Sequence, residues 1–202
     1  MKKIFLFAFM FSTGCILSSS SNPENSVSVS GTLGDIKLSL TPNGSVENKI
    51  RNTSGETKAG CFSGYTGTLE NQKQDTMVFI KFKSTVTKGA DCSKPMAIKD
   101  VIKAGTYNFE LSGKDTLGSA GSLTIKIKDK YYSTGLAAQP KGKFIKVTSI
   151  TPYSGNGLYD PTNTYKTRYL VKGTASAKLF NAMVKDDFTE TSDFKFSVIF
   201  AE

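Results

Sequence analysis

From Val27 onward, apolar and polar positions alternate with a period of two. Val27, Val29, Gly31 and Leu33 alternate with Ser28, Ser30 and Thr32. After Gly34-Asp35, the residues Ile36, Leu38 and Leu40 alternate with Lys37 and Ser39. Successive side chains of a strand point to opposite faces, so this period predicts two half-buried strands. Pro42-Asn43-Gly44 reads as the turn that follows, because Asn and Gly tolerate positive φ. Ser45 to Ala59 is polar and reads mostly as loop. Phe62 to Leu69 and Thr76 to Lys83 read as strands, with Thr85 to Thr87 extending the second. Thr106 to Leu111 alternates again. In Ser122 to Lys130, Leu123, Ile125 and Ile127 face inward while Thr124, Lys126 and Lys128 face out. Phe144 to Ile150 and Tyr165 to Phe180 are further strands, and Gly173 marks a bulge in the second. Phe194 to Phe200 closes the chain, with Phe194, Phe196, Val198 and Phe200 on one face.

One stretch fits two patterns. Lys94 to Ala104 carries Met96, Ile98, Val101 and Ile102 at spacings that suit a short helix near 95–103, with Pro95 in its first turn. It also suits a strand ending at a Gly105 turn. Two loops stand out, Ser133 to Lys143 and Thr151 to Thr164, the latter rich in Gly, Asn and Pro. About nine or ten short strands separated by turn signals predict an all-β fold. The expected form is an antiparallel β-sandwich or a partly closed barrel spanning 27–202 as one domain.

Composition narrows the chemistry. The chain has 202 residues, with 26 basic against 17 acidic side chains and no His. Without histidine there is no Ser-His-Asp or Cys-His mechanism and no histidine-ligated zinc. The basic residues are 24 Lys and only two Arg, Arg51 and Arg168. Arg is the residue of bidentate base and phosphate recognition, so a Lys-dominated surface argues against nucleic acid. It suits a solvated surface with some attraction to anionic glycans or lipid headgroups. Three cysteines are present, Cys15, Cys61 and Cys92. No C-x-x-C motif occurs, which removes the usual redox pattern.

The first fifteen residues read differently from the rest. Lys2 and Lys3 precede an unbroken apolar run, Ile4 to Phe11, then the small residues Ser12, Thr13 and Gly14, then Cys15. Eight apolar residues are too few to span a bilayer, which takes about 20, but they suit the central region of an export signal. This order of features resembles the signals of bacterial lipoproteins, with Ser12 standing where that family's motif carries Leu. The resemblance implies cleavage before Cys15 and acylation of its thiol. Residues 1–14 are then removed and the covalent lipid at the new N-terminus is the only prosthetic group expected. The residue after the cysteine is Ile16, not the Asp that retains such proteins at the inner membrane in the enterobacterial version of the family. The implied address is the outer membrane, either surface-exposed or facing the periplasm. Ile16 to Ser26 is a Ser/Asn/Pro-rich tether, so 15–26 forms the lipidated cysteine and its linker; as a flexible coil this spans roughly 17–20 Å.

With Cys15 acylated, Cys61 and Cys92 remain as a pair, either a disulfide, as an oxidising envelope favours, or two free thiols. The loop closed by a disulfide would stabilise by roughly 3–4 kcal/mol. Candidate ligand chemistry lies in tyrosines and lysines of the C-terminal half. Tyr131, Tyr132, Tyr153 and Tyr159, near Lys126, Lys128, Lys141 and Lys143, form a possible basic-aromatic face for an anionic glycan or a protein. Asp186-Asp187 with Glu190 and Asp193 is the densest acidic group, but it lacks the spacing and glycine of an EF-hand and reads as a solvated hairpin loop. The sequence therefore predicts a lipid-anchored, non-catalytic binding or structural protein without a metal or catalytic residues. Its rivals are a periplasm-facing accessory or inhibitor protein for envelope assembly, and a glycan hydrolase using two carboxylates.

Overall fold

The computed structural model describes residues 26–41, 46–87, 91–114, 116–155, 164–184 and 186–202. Cys15, most of the tether, the Pro42-Asn43-Gly44 turn and Tyr159 lie outside the described residues. The fold is all-β. Eleven strands occur among the described residues: β1 (Ser28–Leu33), β2 (Ile36–Leu40), β3 (Val46–Glu56), β4 (Gly60–Asn71), β5 (Thr76–Thr87), β6 (Gly105–Phe109), β7 (Gly118–Ile127), β8 (Lys130–Ser133), β9 (Phe144–Pro152), β10 (Arg168–Asn181) and β11 (Phe188–Ala201). The 95–103 ambiguity resolves to one helical turn, α1 (Ile98–Val101), preceded by extended chain. Thr134–Leu136 adds a single 3-10 turn within the expected 133–143 loop.

The strands follow one another in the order β2-β1-β11-β10-β9-β6-β7-β5-β4-β3, and β8 bridges β10 and β7. That bridge closes β6, β7, β8, β10 and β9 into a five-stranded barrel. All its pairs are antiparallel except β6–β7, which run parallel at Asn108↔Ala120 and Phe109↔Gly121. The other six strands extend the sheet on either side, so that β3 and β4 fold back over β11. Phe82 of β5 lies 5.8 Å from Phe200 of β11 and 4.9 Å from Tyr107 of β6, both edge-on. These rings anchor a core with Val29, Leu69, Ile80, Leu123, Ile145, Leu170 and Phe194, all fully buried. The expected inward set on β7 holds for Leu123 and Ile125, while Ile127 is half-buried at the strand end. The register of β10 against β9 shifts between Lys172 and Gly173, where the glycine predicted a bulge.

One expectation is corrected. Residues 45–59 were expected to be mostly loop, yet Val46–Glu56 is an eleven-residue strand fully paired with β4. Ile50 packs against the core, while Asn48 and Asn52 on either side of it are polar for a structural reason. β1 covers the outer edge of β11 only as far as Ser197. Beyond that point the buried Asn48 carboxamide takes the place of a neighbouring strand: Ile199 N–H donates to Asn48 Oδ1 at 2.9 Å, and Asn48 Nδ2 donates to Ile199 O at 3.1 Å. Asn52 Nδ2 then donates to Ala201 O at 2.9 Å. The same device closes the barrel. Between Ser176, the last β10 residue paired with β9, and Phe180, the first paired with β8, Gln139 brackets the main chain of Lys178, donating to its carbonyl at 2.7 Å and accepting its N–H at 2.9 Å. Buried main-chain groups must find partners, and here carboxamide side chains supply them where strands run out.

Cys61, at the start of β4, is bonded to Cys92, with Cα atoms 5.0 Å apart. The disulfide pins the segment leading into α1 against β4. α1 is held from the other side by Glu202, whose Oε2 accepts Ile98 N–H at 2.7 Å. Tyr65 lies beneath this junction, and burial together with the Glu202 carboxylate pushes its hydroxyl up to about 12.

Candidate functional site

The strand register gives the domain two distinct ends. Ser26, the end of the expected tether, has its carbonyl held by Ser197 Oγ at 2.7 Å. The end of β11, the start of β10 and the end of β9 lie at the same level, through the pairs Arg168↔Ala201 and Tyr169↔Pro152. The hairpin joining β10 to β11 lies at the other end. Nine residues separate Ser197 from Phe188 along β11, a run of roughly 30 Å at strand rise.

The hairpin end gathers four of the exposed large apolar residues of the described chain, while Leu117, 55% exposed, stands apart before β7. Met183 is 79% exposed, Val184 52%, Phe188 50% and Leu136, on the 3-10 turn, 47%. Phe180 and Phe188 are direct cross-strand partners on the outer face, with ring centroids 6.3 Å apart. Lys178, two residues before Phe180 and therefore on the same face, places Nζ 3.4 Å from the Phe188 ring centroid and 5.4 Å from that of Phe180. A hollow of about 420 Å³ opens between Leu136, Ala137, Lys178, Phe180, Val184 and Phe188, with Asn181, Asp186 and Asp187 at its rim. Asn181 Nδ2 donates to Asp187 Oδ2 at 2.7 Å and shapes the turn.

Several residues singled out from sequence gather here. The main chain of Tyr132 pairs with Asn181, and Ala182 N–H donates to Tyr131 O at 2.8 Å, so β8 borders the hairpin, but the Tyr132 ring packs inward against the core and not on the expected face. Tyr131 is exposed, and Lys126 Nζ sits 5.7 Å from its ring centroid while donating to Gln74 O at 3.0 Å. Lys143 joins through Glu190, the cross-strand partner of Lys178, in a 2.7 Å ion pair that lowers the Glu190 pKa. Lys141 sits on the exposed turn just before it, and Lys128 on the β7–β8 turn, with its N–H donated to Asp75 O. Tyr153 does not join them. It lies at the tether end, its N–H donated to Arg168 O at 2.9 Å. The eight-residue face expected from sequence is therefore divided between two ends of the barrel, with Tyr159 outside the described residues.

Phe180, Phe188, Leu136, Met183 and Val184 were not singled out from sequence. The available signal was Met183-Val184, an apolar pair inside an otherwise polar hairpin loop. The nearby carboxylates are engaged separately. Asp187 holds Asn181, Glu190 holds Lys143, and Asp193 accepts from Thr32 N–H at 3.1 Å and Thr32 Oγ1 at 2.8 Å, which lowers its pKa. No group of three or more metal-ligating side chains is assembled among the described residues.

The tether end has its own polar hollow, of about 460 Å³, between Tyr153, Ser154, Tyr165, Lys166 and Arg168. Burial raises the Tyr153 pKa, opposed by the Arg168 charge, so its hydroxyl stays protonated. Lys99 of α1 places its ammonium 5.1 Å from the ring centroid of Tyr169, the neighbour of Arg168. No protein-family model, curated protein or solved structure matches the chain.

Proposed function

We propose that the chain is a lipid-anchored protein of the bacterial cell envelope, held at the outer membrane through acylated Cys15, and that it acts by binding a partner and not by catalysis. The observation that carries this reading is the polarity of the domain. The tether joins at one end, and Met183, Val184, Phe188 and Leu136 with their flanking lysines cluster at the other. A domain suspended by Cys15 holds that cluster away from its own membrane and toward whatever lies beyond. The anchor itself is supported by the order of basic, apolar and small residues before Cys15, and by the pairing of Cys61 with Cys92, which leaves Cys15 as the third thiol.

The partner is a protein or an anionic glycan. A contiguous exposed apolar surface rimmed by polar residues is a general mark of an interaction site. Phe188 and Phe180 supply rigid area, Lys178 lies over both rings, and Tyr131 and Lys126 extend the surface across β8. A photo-reactive benzophenone residue placed at position 188 or 136 of the full chain in living cells tests this. The expected result is a discrete cross-linked adduct from both positions and none from position 86, at the tether end. No adduct at 188 and 136, or equal yield at 86, refutes the reading.

A further inference from the structure

The strand register lines up one outward row of side chains across six strands. Ser39 of β2 pairs with Ser30 of β1, and Ser30 with Lys195 of β11. Lys195 pairs with Thr174 of β10, Thr174 with Lys146 of β9, and Lys146 with Thr106 of β6. Directly paired residues point to the same side of a sheet. The neighbours of Lys195 and Lys146 along their strands, Phe194, Phe196, Ile145 and Val147, are all in the core, so this row faces out. Every member is exposed except Thr174, which is half-buried. The next row toward the tether end holds Ser28, Ser197, Lys172 and Ser149. Two adjacent rows therefore consist of serine, threonine and lysine alone.

The charge on this face is one-sided. Of the six strands, only β11 carries carboxylates, Glu190 and Asp193. Glu190 is held by Lys143, and Asp193 accepts from Thr32. Lys146 and Lys195 form no ion pair among the described residues. On the outward face of β3, β4 and β5 the pattern differs: Lys49 pairs with Glu70, and Lys81 and Lys83 pair with Glu110. Lys195 and Lys146 flank Thr174 at two strand spacings, roughly 10 Å, and Lys172 lies one row away, roughly 7 Å along β10.

We propose that this face, centred on Lys146, Thr174 and Lys195, binds a linear anionic glycan. Each lysine ammonium is a point charge that meets a carboxylate or sulfate from any direction, while serine and threonine hydroxyls both donate to and accept from sugar hydroxyls. The short side chains between the lysines let an extended chain lie against the sheet. The two rows hold no aromatic ring on which nucleic-acid bases stack and no arginine fork. They also hold no apolar side chain of the kind that fills the centre of a protein interface. The site lies apart from the hairpin-end surface and rests neither on that contact nor on the anchor at Cys15.

Titration of the full chain with fluorescein-labelled heparin, followed by fluorescence anisotropy, tests it. Lys146→Gln combined with Lys195→Gln weakens binding about tenfold. Lys58→Gln combined with Lys73→Gln removes the same charge from the exposed β3–β4 and β4–β5 turns and changes binding by about twofold or less. Acetylation of the unsubstituted chain, read by mass spectrometry, gives a second readout: heparin slows Lys146 and Lys195 about fivefold and leaves Lys58 and Lys73 unchanged. No binding at about 0.1 M salt overturns the proposal. Equal weakening by the two pairs of substitutions, or equal protection of all these lysines, overturns it as well. Equal affinity for polyglutamate, single-stranded DNA or phosphatidylglycerol vesicles overturns the glycan assignment. Loss of heparin binding in Phe188→Ala, with full binding kept in the Lys146 and Lys195 pair, moves the glycan to the hairpin end and refutes this site alone.

Discussion

Asn48→Ala removes a side chain that stands in for a strand. Asn48 is 1% exposed, and Ile199, whose N–H and C=O it satisfies, is fully buried. The substitution leaves two buried main-chain groups without partners. Each such group costs about 1–3 kcal/mol, and partial access of water to the vacated space reduces the sum to about 2–4 kcal/mol. For a domain of this size each kcal/mol lowers Tm by about 2–4 °C, so a fall of roughly 5–15 °C is expected. Asn52→Ala is the matched control. It breaks a single bond, to Ala201 O, from an exposed position, and costs about 0.5–1.5 kcal/mol. Asn48→Asp keeps the shape and the acceptor but sets a carboxylate against Ile199 O. Its folded-state pKa then lies above the unfolded value, so the loss is greatest near pH 7 and recovers as pH falls and the acid gains a proton to donate. Urea denaturation followed by circular dichroism measures all three. Asn48→Ala within 0.5 kcal/mol of wild type, or Asn48→Asp insensitive to pH between 4 and 7, refutes the surrogate-strand account.

Three further outcomes follow from the packing. Replacing Cys61 and Cys92 together by Ala opens a 31-residue separation and lowers stability by roughly 3–4 kcal/mol, read as a shift in urea midpoint; no shift contradicts the constraint assigned to the disulfide. Gly67→Ala places a Cβ against Val198 Cγ1, with Ile199 O at 3.1 Å and Phe200 Cζ at 3.3 Å, and costs about 1–3 kcal/mol by forcing β4 off β11. A neutral result there means the two layers are not in close contact. Glu110 is bonded to Lys83 at 2.9 Å and Lys81 at 3.1 Å; burial raises its pKa, but the two ammonium groups outweigh it and lower the folded-state value below the ordinary 4.5. The unfolded chain therefore takes up this proton first, so the carboxylate's contribution is complete above about 4.5 and lost as pH falls through the lower folded value. Glu110→Gln removes that limb of the stability curve, and an unchanged acid limb refutes the assignment.

Much of the fold was legible because most strands have one buried face. Period two located β1, β2, β6, β7 and β11, an apolar run located β5, and Gly173 marked the β10 bulge. β3 was invisible to that signal: the buried Asn48 and the exposed Asn52 bond the main chain of β11, so hydrogen bonds stand there in place of apolar contacts and a polar strand read as loop. The parallel β6–β7 pair and the bridging β8 were equally hidden, since four residues of β8 carry no period and closure depends on partners remote in sequence. For the candidate site, residue types were legible and grouping was not. Tyr131 and Lys126 do meet, on the outer face that carries Phe180 and Phe188, which read from sequence as ordinary strand aromatics, whereas Tyr132 packs inward against the core. Tyr153 belongs to the opposite end because β9 runs the length of the barrel from Lys143 to the Arg168 level.

The most direct test of the central claim is the intact mass of the protein isolated from its native membranes. A lipid-anchored domain built as described gives a chain beginning at Cys15, carrying two or three acyl groups on that residue, with Cys61 and Cys92 two protons lighter than free thiols. A mass matching an unacylated chain, or acyl groups on a residue other than Cys15, contradicts it.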